Sequence, residues 1–369
     1  MKNTAATQPD RLMRMGSVLA QAGVDLLLVA PSADLRYLIG YQAHATERPA
    51  LLAVRPDAAP LMLLPALEAP RLTNMNIVDV VSYGETDDPI ARLADSMPGL
   101  PVAALVAVTD QTWASVLLRL QRHFPGATFT LASALMRKLR MRKDEAEIAL
   151  LTDAGAKADS AFAHLLELRF SGHTERELAR ELRNLLDGQG LETAEWGPSV
   201  ASGPNSSSPH HITGNREIHE GDSVVLDFGG QIDGYQADMT RTVHVGTPDP
   251  EFEQVYNVVR RAQQAGVEAA RVGSTAESVD RATRATIDDA GYGDYFIHRT
   301  GHGVGLEVHE EPYMVHGNGL ALESGMVFSV EPGVYLPGRF GVRVEDIVAT
   351  TDDAVVRLNN ATRDLVIVH

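Results

Sequence analysis

Cysteine is absent from the 369 residues, which excludes disulfides, zinc–thiolate sites and a cysteine nucleophile. No apolar run approaches the roughly 18 residues of a membrane span. The leading segment MKNTAATQPDRLMRM holds no apolar core of signal-peptide length, so a cytoplasmic location is expected. Positive charge is scarce. With 32 basic against 49 acidic residues the formal charge is −17, which argues against nucleic acid or an anionic membrane as partner. Nine of the thirteen histidines fall after residue 200. The earlier part shows no phosphate-binding glycine loop, and its function is not legible.

What is present suits two globular domains, with 44% hydrophobic and 22% charged residues. In the first third, apolar runs at 24–30, 50–54, 61–65, 78–83 and 102–108 read as strands. Helical patterns such as RLMRMGSVLAQ and WASVLLRLQRHF lie beside them, implying an α/β layer structure. The basic stretch LMRKLRMRK at 135–143 reads as a solvated linker leading into a helix. The boundary is placed there, giving domains 1–134 and 135–369. In the second domain Thr174 with Glu177 and Ser274 with Glu277 form capping-box patterns, and Pro250 suits a helix first turn. Gly188, Gly291 and Gly273 are the expected stops. The segments VVLDFGG, ADMTRTVHV, MVFSVEPGVY and VRVEDIVAT read as strands, so this domain is α+β, with helices covering one face of a curved antiparallel sheet.

Those strands and one tight loop carry Asp227, Asp238, His302, Glu331 and Glu345 in apolar or glycine-rich settings. A lone buried carboxylate costs several kcal/mol or more. Four carboxylates and one imidazole in one core therefore call for a neutralising charge, which two divalent metal ions would supply. The dipeptide Asp233–Gly234 is a favoured hairpin turn. A two-residue turn there sets Asp227 opposite Thr240 with Asp238 diagonal on the same face. In GVRVEDIV, alternation turns Arg343 and Glu345 toward the site and Asp346 away. Arg343 then serves as an electrostatic brace or as an anchor for a substrate carboxylate. Glycines at 301, 303 and 305 let the backbone around His302 approach a ligand closely. His210 and His211 follow the flexible GPNSSSP segment, as on a substrate-side loop, and His298 and His309 bracket His302. His219, His244, His316 and His369 read as surface or core residues.

The order Asp, Asp, His, Glu, Glu in these settings resembles the creatinase/aminopeptidase, or pita-bread, metallopeptidases. Within them it resembles the Xaa-Pro peptidases, prolidase and aminopeptidase P. The motifs VASGPNSSSPHH, VVLDFGG, DMTRT, HRTGHGVGLEVHEEPY, VEPGVY and GVRVED carry the likeness, which extends to a creatinase-like N-terminal α/β domain. It implies that Asp227 chelates one metal, that Asp238 and Glu345 bridge both, and that His302 and Glu331 complete the second. Manganese is the expected metal, and cobalt and zinc suit the same donors. A hydroxide bridging the metals would attack the scissile carbonyl. Glu331 would take the proton of the attacking water and hand it to the leaving nitrogen. His309 and His210 would hold substrate and stabilise the carbonyl oxygen, the Pro-His order selecting His210 over His211. His298 would be a wall or a proton shuttle. The implied substrates are short proline-containing peptides, cut as Xaa-Pro dipeptides by a homodimer. Aminopeptidase P activity on longer peptides is the alternative. A creatinase-type amidine hydrolase or a non-catalytic protein-binding scaffold of the same fold would lack ligands that this chain retains.

Overall fold

The computed structural model describes residues 7–72, 76–193 and 197–369, and the first six residues of the leading segment lie outside them. The chain forms two compact units that part between Arg140 and Met141, later than the division expected before Leu135. The reason is local. Residues 133–140 are a helix whose Leu135 and Met136 are buried. Its Arg140 lies 2.6 Å from Asp34, so the first part of the basic stretch belongs to the first unit and is no solvated linker.

In that first unit, strands β1 (Leu26–Val29), β2 (Leu51–Val54), β3 (Leu61–Pro65), β4 (Asp79–Tyr83), β5 (Leu105–Val108) and β6 (Thr128–Leu131) form one sheet in the order 4-3-2-1-5-6. The first two strands are buried throughout, which is why they read as unbroken apolar runs. Strand β6 was not anticipated: its sequence TFTL is largely exposed at the sheet edge, so burial left no apolar signature. Helices α1 (Gln8–Ala22), α2 (Ala33–Ile39), α3 (Pro89–Asp95), α4 (Ala114–His123) and α5 (Ser133–Arg140) complete the unit, making it α/β as expected.

The second unit is α+β, but its strands do not make one curved sheet. Strands β7 (Ser199–Ser202), β8 (Ser223–Ile232) and β9 (Tyr235–Val245) join the last strand in a four-stranded sheet. Strands β10 (Gly301–Gly303), β11 (Glu310–Met314) and β12 (Val327–Val330) belong to a separate five-stranded sheet, and β13 (Gly333–Leu336) and β14 (Phe340–Arg343) form a hairpin of their own. Strands β15 (Asp346–Thr350) and β16 (Val355–Arg357) complete the five, and β17 (Val366–Val368) is the parallel partner of β9. Helices α6 (Glu145–Leu165) and α7 (Glu175–Gly188) bury Phe162, Leu178, Leu182 and Leu186 against Val224, Leu226 and Phe228 of the four-stranded sheet. Helices α8 (Pro250–Ala269) and α9 (Ala276–Asp289) pack apolar residues on the other strands.

The capping box at Thr174–Glu177 forms as expected. At α9 the cap is Thr275, whose hydroxyl accepts from the Ser278 amide at 3.2 Å. Ser274 instead donates to the carbonyls of Ala269 and Arg271, so the pattern is shifted by one residue. Helix α7 runs through Gly188 to its cap Gln189, with Gly190 at φ 80° just beyond, and α8 ends at cap Ala270, ahead of Gly273. No helix among the described residues is long and apolar enough to cross a membrane.

Candidate metal centre

The tip of the β8–β9 hairpin places two of the acids. Asp233 and Gly234 adopt φ of 48° and 85°, the positive values that a two-residue turn matched to strand twist requires. Asp227 therefore pairs with Thr240, and Asp238 with Gly229. The strand expected through GVRVEDIV is interrupted, since β14 ends at Arg343 and β15 begins at Asp346. Alternation survives the break. Arg343 and Glu345 line the cavity, whereas the fully buried Asp346 turns to Arg241, Arg357 and Arg363 at 2.7, 3.1 and 3.2 Å. MVFSVEPGVY is broken in the same way at Glu331–Pro332, leaving Glu331 at the strand end.

The glycines around His302 have a different purpose from the one expected. A Cβ on Gly301 would lie 1.9 Å from the Ser329 carbonyl, and one on Gly303 would lie 2.3 Å from that of Glu311. They permit close strand packing, and the ligand is approached by the His302 side chain.

All nine candidate residues line one cavity of about 740 Å³: Asp227, Asp238, His302, Glu331, Glu345, His210, His298, His309 and Arg343. Donor atoms of Asp227, Asp238 and Glu345 lie within 4.8 Å of one another, as do those of His302, Glu331 and Glu345. Glu345 is common to both groups. Asp238 also reaches a third group with His302 and His309, so it stands between the two. His302 Nε2 is 3.1 Å from Glu331 and 3.7 Å from Asp238. Its Nδ1 lies 3.2 Å from the Gly303 carbonyl, which holds the proton of the neutral ring on Nδ1 and leaves Nε2 for a ligand.

The charges bear directly on what fits here. Burial, then the charge of Asp227, pushes the Asp238 carboxyl up to about 8. Burial and the neighbouring acids push Glu345 well above the carboxylate range. Asp227, with 29% of its side chain exposed and Arg343 at 2.7 Å, is still raised by burial. Burial would raise Glu331 also, but hydrogen bonding and charge from His302 bring it to about 2. His302 is raised in turn, Glu331 outweighing burial. Arg343 thus faces Asp227 and His302 faces Glu331, which leaves Asp238 and Glu345 short of positive charge. Oxygen and imidazole donors so arranged fit a pair of divalent ions.

Metal uptake should then release protons, because the Asp238 carboxyl, pushed up to about 8, must deprotonate to ligate. Titration at pH 7 in buffers of differing ionisation enthalpy should show at least about one proton released per chain. The apparent affinity should climb with pH until about 8 is passed. An affinity flat across that range would remove Asp238 from the ligand set.

The remaining side chains are held in a relay. Arg343 is buried and donates through Nη2 to Asp227 at 2.7 Å, through Nε to Thr240 Oγ1 at 2.9 Å and through Nη1 to Tyr335 Oη at 3.0 Å. These bonds suit a brace, and Arg343 also lines the cavity. Thr240 donates its hydroxyl to Glu345 at 2.7 Å. His298 Nδ1 is 2.7 Å from the Arg299 carbonyl and Nε2 is 3.0 Å from Tyr335 Oη. Both nitrogens are committed and burial lowers its pKa, which suits a neutral wall better than a shuttle. His309 stacks edge-on to His302 at 4.0 Å; burial, then the charge of His302, brings its pKa down to about 4. His210 lines the cavity, whereas His211 turns onto Glu175 at 2.8 Å. His244 is buried against Phe252.

Sequence reasoning passed over Thr240, Tyr335, Ser329 and Arg299. The register argument already set Thr240 opposite Asp227. Tyr335 stood inside the quoted VEPGVY, but a neutral hydroxyl gives no charge signal. Ser329 accepts from the His302 amide at 3.0 Å and donates to Glu331 at 3.1 Å. Arg299 lines the cavity with its guanidinium 4.4 Å from the Tyr313 ring.

A hydrolytic metal site in a two-sheet α+β unit, preceded by an α/β unit, defines a metallopeptidase of the pita-bread architecture. Residues 149–352 match metallopeptidase family M24 and residues 11–142 match the creatinase/prolidase N-terminal domain, and the chain belongs to that family. It is 42% identical over 363 residues to the "Probable dipeptidase PepE" of Mycobacterium tuberculosis, covering 97% of this chain and 96% of the relative. It is 37% identical over 355 residues to the Xaa-Pro dipeptidase of Lactobacillus helveticus, covering 95% and 96%. The recombinant prolidase of Thermococcus sibiricus superposes with a TM-score of 0.94 at 36% identity, over 98% of this chain and 100% of that one.

Proposed function

We propose that the protein is a cytoplasmic, homodimeric Xaa-Pro dipeptidase that works with two manganese ions. The carrying observation is the convergence of nine candidate residues on one cavity, with two donor groups joined at Glu345. The likeness to proteins named dipeptidase and prolidase supports the substrate class. Asp227, Asp238 and Glu345 would hold one ion, and His302, Glu331 and Glu345 the other. When bound, such ions polarise a carbonyl and acidify water.

The chain's residues do the rest. Glu331, ionised and held by Ser329, takes the proton of the attacking water and delivers it to the leaving prolyl nitrogen. His309, neutral at working pH, and His210 donate to the carbonyl oxygen as charge develops there. His298 walls the cavity, and Tyr335 behind it keeps Arg343 on Asp227. A prolyl amide has no N–H and a fixed φ, so pockets that bind an extended strand reject it. A cavity that recognises the ring supplies what is missing.

A dipeptide also presents a free C-terminal carboxylate. Arg343 already bonds Thr240, Pro209, Tyr335 and Asp227, and we assign that role to Arg299, which makes no hydrogen bond through its guanidinium among the described residues. The metal-stripped protein, reconstituted with manganese, should release leucine from Leu-Pro. Leu-Pro-Pro should be cut poorly. Arg299→Ala should raise KM for Leu-Pro about tenfold, the 1.4 kcal/mol of one charge-assisted hydrogen bond, and leave Leu-Pro-amide nearly unchanged. Preference for the tripeptide would make the protein an aminopeptidase P. No metal-dependent cleavage of either would sink the peptidase reading and favour the scaffold.

A further inference from the structure

Behind the loop that carries His210 lies a carboxylate with no part in the centre described above. Glu175 opens α7 and is fully buried. Its Oε1 accepts from the Ser202 amide and hydroxyl at 2.8 Å each and from Asn205 Nδ2 at 2.9 Å. Its Oε2 accepts from His211 Nε2 at 2.8 Å and from the Gly214 amide at 3.1 Å. A carboxylate offers about four lone-pair sites, and these five donors come from both ends of residues 202–214. Burial alone would raise the Glu175 pKa, yet Asn205, His211 and Ser202 together hold it below its ordinary value.

The loop has two halves with different supports. Residues 203–207 are also tied to the hairpin and to β8, where the Ser206 hydroxyl accepts from the Gly341 amide at 2.8 Å and meets Ser223 at 2.9 Å. The half that bears His210 leans on β7 through Ser199 Oγ to the His211 carbonyl at 3.2 Å and the Val200 amide to Thr213 at 2.9 Å. It is also held on Glu175 by the His211 ring and the Gly214 amide. Consecutive residues diverge here, with His210 in the cavity and His211 on the buried acid. The same half meets the metal centre at one further point, where Arg343 Nη1 donates to the Pro209 carbonyl at 3.3 Å.

We propose that Glu175 and His211 are positioning residues, whose hydrogen bond sets the placement of His210 over the substrate carbonyl. The inference rests on the reading of His210 as a donor in peptide hydrolysis. His211→Ala removes the tether without touching the cavity. It should lower kcat on Leu-Pro about tenfold, since small misplacements of a catalytic donor are expensive, with KM changed less than about twofold. Bound metal should not change. His211→Gln, whose amide can donate to the same oxygen, should restore activity, and Glu175→Gln should reproduce the His211→Ala loss.

Two results distinguish positioning from simple structural damage. In a His210→Ala background the His211→Ala change should add nothing. The His210 ring signal in an NMR spectrum of histidine-labelled, manganese-free protein should shift in His211→Ala and return in His211→Gln. Losses that add in the double variant, or an unmoved His210 signal, would overturn the proposal. The NMR arm does not depend on turnover, so an inactive wild type would sink the peptidase reading while the spectrum still judged the tether.

Discussion

Glu345→Ala should abolish retention of both ions and lower kcat/KM on Leu-Pro by about a thousandfold or more. Glu345 belongs to both groups of converging donors, so its loss leaves each with two protein ligands. Lewis-acid stabilisation by such ions amounts to several kcal/mol, and about 1.4 kcal/mol is tenfold in rate. Metal analysis after dialysis should fall from about two ions per chain to below one, the sign that a shared ligand has gone. The metal-free fold should survive. Burial and nearby acids push the Glu345 carboxyl well above the usual carboxylate range, so its charge is a cost to the metal-free protein. The hydrogen bond from Thr240 at 2.7 Å is what the variant forfeits. A variant that kept two ions would remove Glu345 from the centre.

Asp346→Ala should do the opposite, striking the fold first. Asp346 is fully buried, with Arg241, Arg357 and Arg363 on its oxygens and Asn359 and Gln263 at 2.8 and 3.1 Å. Arg241 is itself buried and donates to the carbonyls of Thr240 and Glu345. Removing one member of a buried ionic network leaves uncompensated charge and costs about 3–5 kcal/mol. Urea unfolding of the metal-free variant should show that loss directly. Metal affinity should weaken as a consequence, through the backbone of Glu345. A loss below about 1 kcal/mol would mean that the arginines find other partners or water.

These two neighbours illustrate how far the sequence could be read. The two-residue alternation in GVRVEDIV correctly separated Glu345 from Asp346, although the strand that justified it is broken between them. The inference held because Glu345 still bonds to β9 across the break, its amide donating to the Thr240 carbonyl at 3.1 Å. The hairpin register held for a firmer reason: a turn at Asp233–Gly234 leaves no freedom in which residues face one another. The domain boundary and the start of α9 were misplaced by a few residues, since burial of Leu135 and the competing bonds of Ser274 depend on tertiary neighbours.

The five candidate donors could be singled out from the sequence alone, because charged residues in strand and glycine-rich contexts have few other uses, and its motifs carried the resemblance to the family. Only the tertiary structure decided which partners the surrounding side chains meet. It committed Arg343 to Asp227, Thr240 and Tyr335, closed both nitrogens of His298, and turned His211 from the cavity onto Glu175. The physical reason is that a side chain's chemistry depends on which partners its donors have already found. Those partners lie as far apart in the chain as residues 175 and 211, or 227 and 343, so no local pattern records them.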